Sequence, residues 1–520
     1  MLFCVALALS ALALGACVGC SGAAGGGPAA KGSAAPGGVL RVVIPQDPEQ
    51  LDPRFVADTY GLRLSRLLFA SLVRIDPQTL EAVPDLASSV RVVTPTRYVA
   101  HLRPDLRFSD GSTLDAADVV ATYEGVVSAK LGSRYRSTYE RIARVQALDA
   151  HTVQFDLREP HAPFMTDLEL PIVRAEDAFV HIAGPGMPPP VGAGPYRLVS
   201  RAPGRLELAT NPHWYAGVPL HPRVRFIVVR DDNTRALRLL ARAADLAVSS
   251  IPPMLVPLFE APDAGFDVRT APGIGTTYIG FNTDAPAVHD ARVRRAIAYA
   301  IDRALIVQTK LGGRAHLTSS WIPRDHWASA EDLPTYAFDP ARAAALLDQA
   351  GLVDPDGPGP RPRARLVMRT GADRFRVSLA RAMAAMLAWV GLEVDVRPSE
   401  TATLLSDLNR GRFELCLLQM PEVIEPHVLS WFFASDRVPG PGREGANRWR
   451  YRNPVLDAAF ERGAESTDRA DRIAAYRTVQ AILARDLPVL PLWQEDVVAV
   501  VRHGVPFTVP RDGRFDPLAR

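Results

Sequence analysis

Residues Thr276 to Arg303, TTYIGFNTDAPAVHDARVRRAIAYAIDR, join an apolar run, a turn and a capped helix within one short span. Tyr278, Ile279, Gly280 and Phe281 suit a strand, and the Asn, Asp and Pro residues between Asn282 and Pro286 end it. Asp290 is placed to accept hydrogen bonds from the first-turn amides of a helix, whose apolar residues Val293, Ala296, Ile297, Ala300, Ile301, Ala304 and Leu305 recur at three- and four-residue steps. One stripe is expected to pack inward, leaving Arg292, Arg294, Arg295 and Arg303 facing water. Strand, bend and amphipathic helix in this order make an α/β arrangement, and the segment reads as a hinge.

The 520 residues exceed what one core comfortably serves, so several domains and a cleft between them are expected. With 22% charged residues and a formal charge of +2, the chain carries no strong field, and no nucleic-acid partner is proposed. Three of the four cysteines, Cys4, Cys17 and Cys20, lie in the leader; Cys416, inside the apolar run Phe413 to Leu418, reads as a small hydrophobe within a strand. Leu2 to Ala16 is apolar but too short to span a bilayer, which fits a secretory signal. Ser21 to Gly38 then supplies a flexible Gly/Ala/Ser/Pro tether.

Along the body, Val39 to Ile44 reads as the first strand, and Val90 to Arg103 as a hairpin around Thr94, Pro95 and Thr96. After the Phe108 to Gly111 turn, Asp115 is a good N-cap, with Asp118 in the capping-box position and Leu114 stapling against Val119. Capping accounts for these acids without catalysis. Pro203 and Gly204 turn a second hairpin, and Asp339 and Pro340 open a helix that Gly351 stops. A helix over Leu379 to Val390 leads through Gly391 to a strand at Leu392 to Val396, the β-α-β pattern of a mainly parallel sheet.

The segments Leu51-Asp52-Pro53, Phe108-Ser109-Asp110-Gly111 with Leu114, Ala116, Asp118 and Val119, Tyr278 to Arg303, and Asp486 to Leu492 resemble, in order, the extracellular solute-binding proteins of ABC importers in the dipeptide, oligopeptide and nickel class. The resemblance runs from about Gly38 to Leu518. It implies two α/β lobes, periplasmic-binding-protein-like, with an extra subdomain in the first lobe and a hinge of crossing strands. The expected division is 1–16 signal peptide, 17–38 tether, 39–281 first lobe with the subdomain at about 72–195, 282–487 second lobe, and 488–520 returning to the first. Leu14-Gly15-Ala16-Cys17 resembles a lipobox, which implies lipid on Cys17, with Cys20 the alternative, and an extracytoplasmic protein anchored to the membrane. The implied partners are a small-molecule or peptide ligand and ABC permease subunits; the implied protein is a monomer with no cofactor.

Enzyme signatures are missing: there is no HExxH, GxSxG or GxxxxGK, and the GxGxxG of Gly440, Gly442 and Gly445 is flanked by Pro439 and Pro441. In peptide-binding members an aspartate within W-x-x-D-x-x-[DE]-P takes the peptide ammonium. Gln419 to Pro426 corresponds to it, with Glu422 on the aspartate and Gln419 replacing the aromatic. An ammonium in a closed cleft needs a carboxylate to offset its lost hydration. The alternative for Glu422 is a solvent-facing loop position. Glu425 with Pro426 is expected to shape the loop beside the ligand; Asn282, Trp431, Phe432 and Phe433 either line the cleft or fill the core, with core expected for the aromatics. A short peptide is the foremost ligand. A nickel chelate, haem, an oligosaccharide or an opine on the same fold, or a sensing lipoprotein not coupled to transport, are the alternatives.

Overall fold

A computed structural model describes residues 38–520 apart from Pro185, Pro358, Pro421 and Glu444; the signal peptide, Cys17, Cys20 and the tether up to residue 37 lie outside the described residues. Two large sheets carry the chain. The first has seven strands in the order Phe266–Ala271, Val497–Arg502, Leu246–Val248, Val39–Ile44, Arg223–Val228, Arg205–Thr210 and Tyr196–Ala202. The second has six, ordered Ala315–Leu317, Val489–Glu495, Thr276–Phe281, Leu415–Met420, Ala364–Gly371 and Leu392–Ser399. A four-stranded antiparallel sheet over residues 87–157 forms the subdomain.

Local chemistry accounts for these elements. Val39–Ile44 runs parallel to Arg223–Val228 near the middle of the first sheet. The capping box at Asp115 and Asp118 is present, and Gly204 turns its hairpin at φ +76°. Thr276–Phe281 is buried at every position between Leu415–Met420 and Val489–Glu495, so it reads as a continuous apolar run and not as an alternating one. A Cβ on Gly280 would collide with the Trp449 ring and stand 2.9 Å from the Cys416 sulfur, which leaves room only for glycine.

The hydrophobic cores do not cross between the two large sheets. One pair of clusters is drawn from residues 278–493, and the remaining clusters from residues 40–271 and 497–519. Pairing sets both crossings a strand away from the places expected above, which were after Phe281 and before Pro488. Thr276–Phe281 and Val489–Glu495 lie inside the second sheet, so the chain passes over at 272–275 and at Asp496. The apolar run at Tyr278 to Phe281 needs burial on both faces, and only the sheet interior provides it. The two crossings touch: Glu495 N–H donates to Gly275 O at 3.3 Å, and a Cβ on Gly273 would strike the Glu495 carbonyl.

Two expectations for the capped helix need correction. It breaks at Ile301 into Ala291–Ala300 and Arg303–Leu311, because Asp302 caps a second start on Leu305 N–H. Arg294 and Arg303 are buried, not solvent-facing. Arg294 donates to the carbonyls of Val288, His289 and Asp486, and Arg303 to those of Thr318, Tyr336 and Pro491. A guanidinium has five fixed donors, and these two close carbonyls that loops would otherwise leave unpaired.

Gly280→Ala should destabilise the second lobe by about 1–3 kcal/mol through overpacking against Trp449. Urea unfolding should show a lower midpoint at unchanged slope; an unchanged midpoint would mean that the Trp449 ring does not bear on this strand.

Candidate functional site

The loop that follows Leu415–Met420 meets the C-terminal tail of the first lobe through Glu422 and Arg514. The tail contributes Arg514, which is 4% exposed. Its Nη1 donates to Glu169 Oε1 at 2.5 Å, its Nε lies 2.9 Å from Asp512 Oδ2, and its Nη2 lies 3.7 Å from Glu422 Oε2 on the opposite lobe. Glu169 also accepts from Arg66 Nη2 at 3.0 Å, and Arg63 donates to the Asp512 carbonyl. With Asp516 acting on both Asp512 and Arg514, four carboxylates meet three guanidiniums.

Burial pushes the Asp512 carboxyl up to about 6; Arg514 opposes this, and the carboxylates of Glu422 and Asp516 reinforce it. Burial likewise acts against the Glu169 charge, but Arg514 and Arg66 outweigh it and hold that carboxyl low. Arg514 is disfavoured by burial and held charged by Glu169, Asp512, Glu422 and Asp516. Glu422 keeps 28% of its side chain exposed and makes no hydrogen bond among the described residues, so it is the one carboxylate here that meets both solvent and the opposite lobe.

Other contacts cross the gap nearby. Arg511, itself buried, pairs with Asp325 at 2.6 Å while donating to Gln78 O and Pro272 O, which ties the tail to the second lobe and to the crossing segment. Ala162 N–H donates to Ala464 O at 2.7 Å, and Arg469 pairs with Glu81. The rings of His161 and His427 meet edge to face with centroids 5.7 Å apart. Burial, with the charge of His161 next, pushes His427 down to about 3; burial also lowers His161, against the pull of Asp167.

The remaining candidates are engaged elsewhere. Glu425 accepts from Arg472 at 2.6 Å and from His427 N–H at 3.0 Å, so its carboxylate holds the loop in place. Gln419 Oε1 accepts from Arg376 at 2.5 Å, and Arg376 leads through Thr277 to Glu495 beside the crossing. Asn282 does not reach the cleft. It is 5% exposed, donates to Gly411 O and Phe413 O, and accepts from Asp284 N–H. The strand carries it six residues from Thr276, about 20 Å along from the crossing. Phe433 fills the core against Trp321 and Trp449, while Trp431 lies on the surface under Arg437.

Sequence reasoning missed Arg514, Asp512, Glu169 and Arg66. The signal available was the tail Arg511-Asp512-Gly513-Arg514-Phe515-Asp516, whose alternating charges are an odd choice for residues that end up buried. An open recess of about 580 Å³ lies elsewhere, lined by Lys310, Arg374, Ser378 and Arg381; Arg374 and Arg381 are exposed there, so it would leave a ligand in contact with water.

The sequence pattern described as bacterial extracellular solute-binding proteins, family 5 Middle, matches residues 81–437. Protein XP55 of Streptomyces lividans is 31% identical over 460 residues, covering 85% of this chain and 81% of that protein. Di/tripeptide-binding protein 2 of Pseudomonas aeruginosa (strain UCBPP-PA14) is 26% identical over 488 residues, covering 87% and 89%. The oligopeptide-binding protein AppA of Bacillus subtilis, solved in complex with a nonapeptide, superposes with a TM-score of 0.75 at 21% identity over 91% of this chain and 97% of that one.

Because His427 is held neutral, its stabilising contribution is complete above pH 6.5 and is lost as pH falls from 6.5 toward about 3. Between pH 7 and 5 the melting temperature should therefore fall more steeply for the native chain than for His427→Gln. Parallel curves would show that burial does not hold His427 neutral.

Proposed function

Because the chain belongs to the bacterial extracellular solute-binding proteins of family 5, we propose that it captures a short peptide between its lobes and presents it to an ABC permease. The observation that carries this reading is Glu422. It is a partly exposed carboxylate with no hydrogen bond of its own, set on the second lobe and facing a buried charge cluster on the first. A peptide ammonium entering there exchanges water for charge-assisted hydrogen bonds in a closed site. The peptide named for the Pseudomonas relative and the nonapeptide in the Bacillus protein support this choice of ligand. No chemical step is required of the protein.

The units taken to move are 39–271 with 497–520, and 276–495, turning about the two crossings. Ligand shifts that equilibrium only by its extra affinity for the closed form. Lipid on Cys17, with Cys20 as the other candidate, would hold a monomer at the extracytoplasmic face; among the described residues no helix is long and apolar enough to cross a membrane.

Incubation with a casein digest, followed by native mass spectrometry, should show retained peptides, and small-angle scattering should show a smaller radius of gyration in their presence. Glu422→Gln should weaken retention by roughly 10- to 100-fold, the loss expected for one hydrogen bond to a charged group. No retained mass and no compaction would overturn the reading. Labelling with a fatty acid should be lost on Cys17→Ala; retained label moves the anchor to Cys20.

A further inference from the structure

We propose that the cleft grips a cationic nitrogen with two carboxylates, Glu422 from the second lobe and Asp512 from the first-lobe tail, and that binding releases a proton from Asp512 to solvent. This deepens the reading above and rests on it.

The geometry leaves two acceptors short of donors around one guanidinium. Asp512 is 4% exposed; its Oδ1 accepts Arg514 N–H at 3.0 Å, while Oδ2 has no aligned donor although Arg514 Nε is 2.9 Å away. Arg514 Nε–H is correspondingly without an aligned acceptor. On the other side, the 3.7 Å between Arg514 Nη2 and Glu422 Oε2 is beyond hydrogen-bond reach. Arg514 is drawn first to Glu169, whose bond of 2.5 Å is the shortest it makes. The guanidinium therefore serves its own lobe and only approaches the other.

An ammonium has three rotatable donors and no acceptor, so it can bond Glu422 and Asp512 Oδ2 at once where the planar fork of Arg514 does not. It also brings the charge count level, since Glu169, Glu422, Asp512 and Asp516 outnumber Arg63, Arg66 and Arg514 by one. A neutral or anionic group in the same place leaves buried carboxylate uncompensated. The groups facing Asp512 are Arg514, Glu422, Asp516 and Arg63, with Glu169 and Arg66 behind Arg514. Without ligand, the raised Asp512 carboxyl, at about 6, is half protonated near that pH. An arriving cation favours the carboxylate, and the displaced proton passes to buffer.

The test uses the full chain and a peptide identified by native mass spectrometry from the casein digest, synthesised with a free and with an acetylated amino terminus. Titration calorimetry in two buffers of different ionisation heat should show release of about half a proton at pH 6 and almost none at pH 8 for the free peptide. Asp512→Asn should abolish that release and weaken binding at pH 8 by about tenfold, a charge-assisted bond's worth; Asp512→Glu should restore release. The acetylated peptide should bind at least tenfold more weakly. Equal binding of the two peptides would overturn this inference and leave solute capture standing. Absence of proton release from the unmodified chain, or its persistence in Asp512→Asn, would remove Asp512 from the site. A chain retaining no peptide at all overturns both readings.

Discussion

Arg514 sets the terms on which the two lobes can meet. A guanidinium 4% exposed cannot shed its proton, so it must be surrounded by carboxylates or be expelled into water. Glu169 and Asp512, on its own lobe, supply the near partners, and the second lobe adds only Glu422 at 3.7 Å. Most of the compensation is thus present whether or not the lobes approach. The cross-lobe term is gross attraction of a few kcal/mol at an effective dielectric near 20, reduced by what Glu422 gives up in hydration. The other cross-lobe pairs, Arg469 with Glu81, Arg511 with Asp325 and Arg314 with Glu260, each have an exposed partner and add on the order of 0–1 kcal/mol each. The cross-lobe charge pairs alone therefore hold the lobes together weakly, which is the condition under which a solute of ordinary affinity can decide closure.

Much of this was legible in the chain. The capping box at Asp115, the Gly204 hairpin and the helix opened by Asp339 and Pro340 rest on interactions within a few residues, and the parallel pair around Leu379 to Val390 on one helical crossover, which local sequence states directly. Arg294 and Arg303 were misread because helical periodicity ranks arginine as a surface residue. Nothing local reveals that carbonyls of Asp486 and Pro491, almost two hundred residues on, need donors. The crossings were displaced for a related reason: an apolar strand gives its burial but not which sheet buries it.

The candidate site divides along the same line. Glu422 is singled out by the resemblance of its loop to a known pattern, and the loop-holding role of Glu425 follows from the proline beside it. Asn282 failed as a ligand residue because its place on the strand, far from the crossing, depends on which end of Thr276–Phe281 meets the first lobe. Arg514 and Asp512 were invisible because their partners, Glu169 and Glu422, stand hundreds and tens of residues away and are joined only by folding.

The strand Leu415–Met420 links the crossing to the site. At Met420 it lies opposite Thr276, one residue from the passage between sheets, and two residues later comes Glu422. Its neighbours on both sides fix its register, and Gln419 is tied through Arg376 and Thr277 to Glu495, the last strand residue before the second crossing. Glu422 therefore follows two residues after the end of the strand that pairs with Thr276 beside the crossing. Rotation at 272–275 and Asp496 changes the distance from Glu422 to Arg514, since the two stand on opposite lobes. Conversely, a guest that fixes that distance fixes the angle between the lobes. On the reading proposed above, ligand capture and lobe closure share one coordinate, because Glu422 stands near the crossings and the cation it faces belongs to the other lobe.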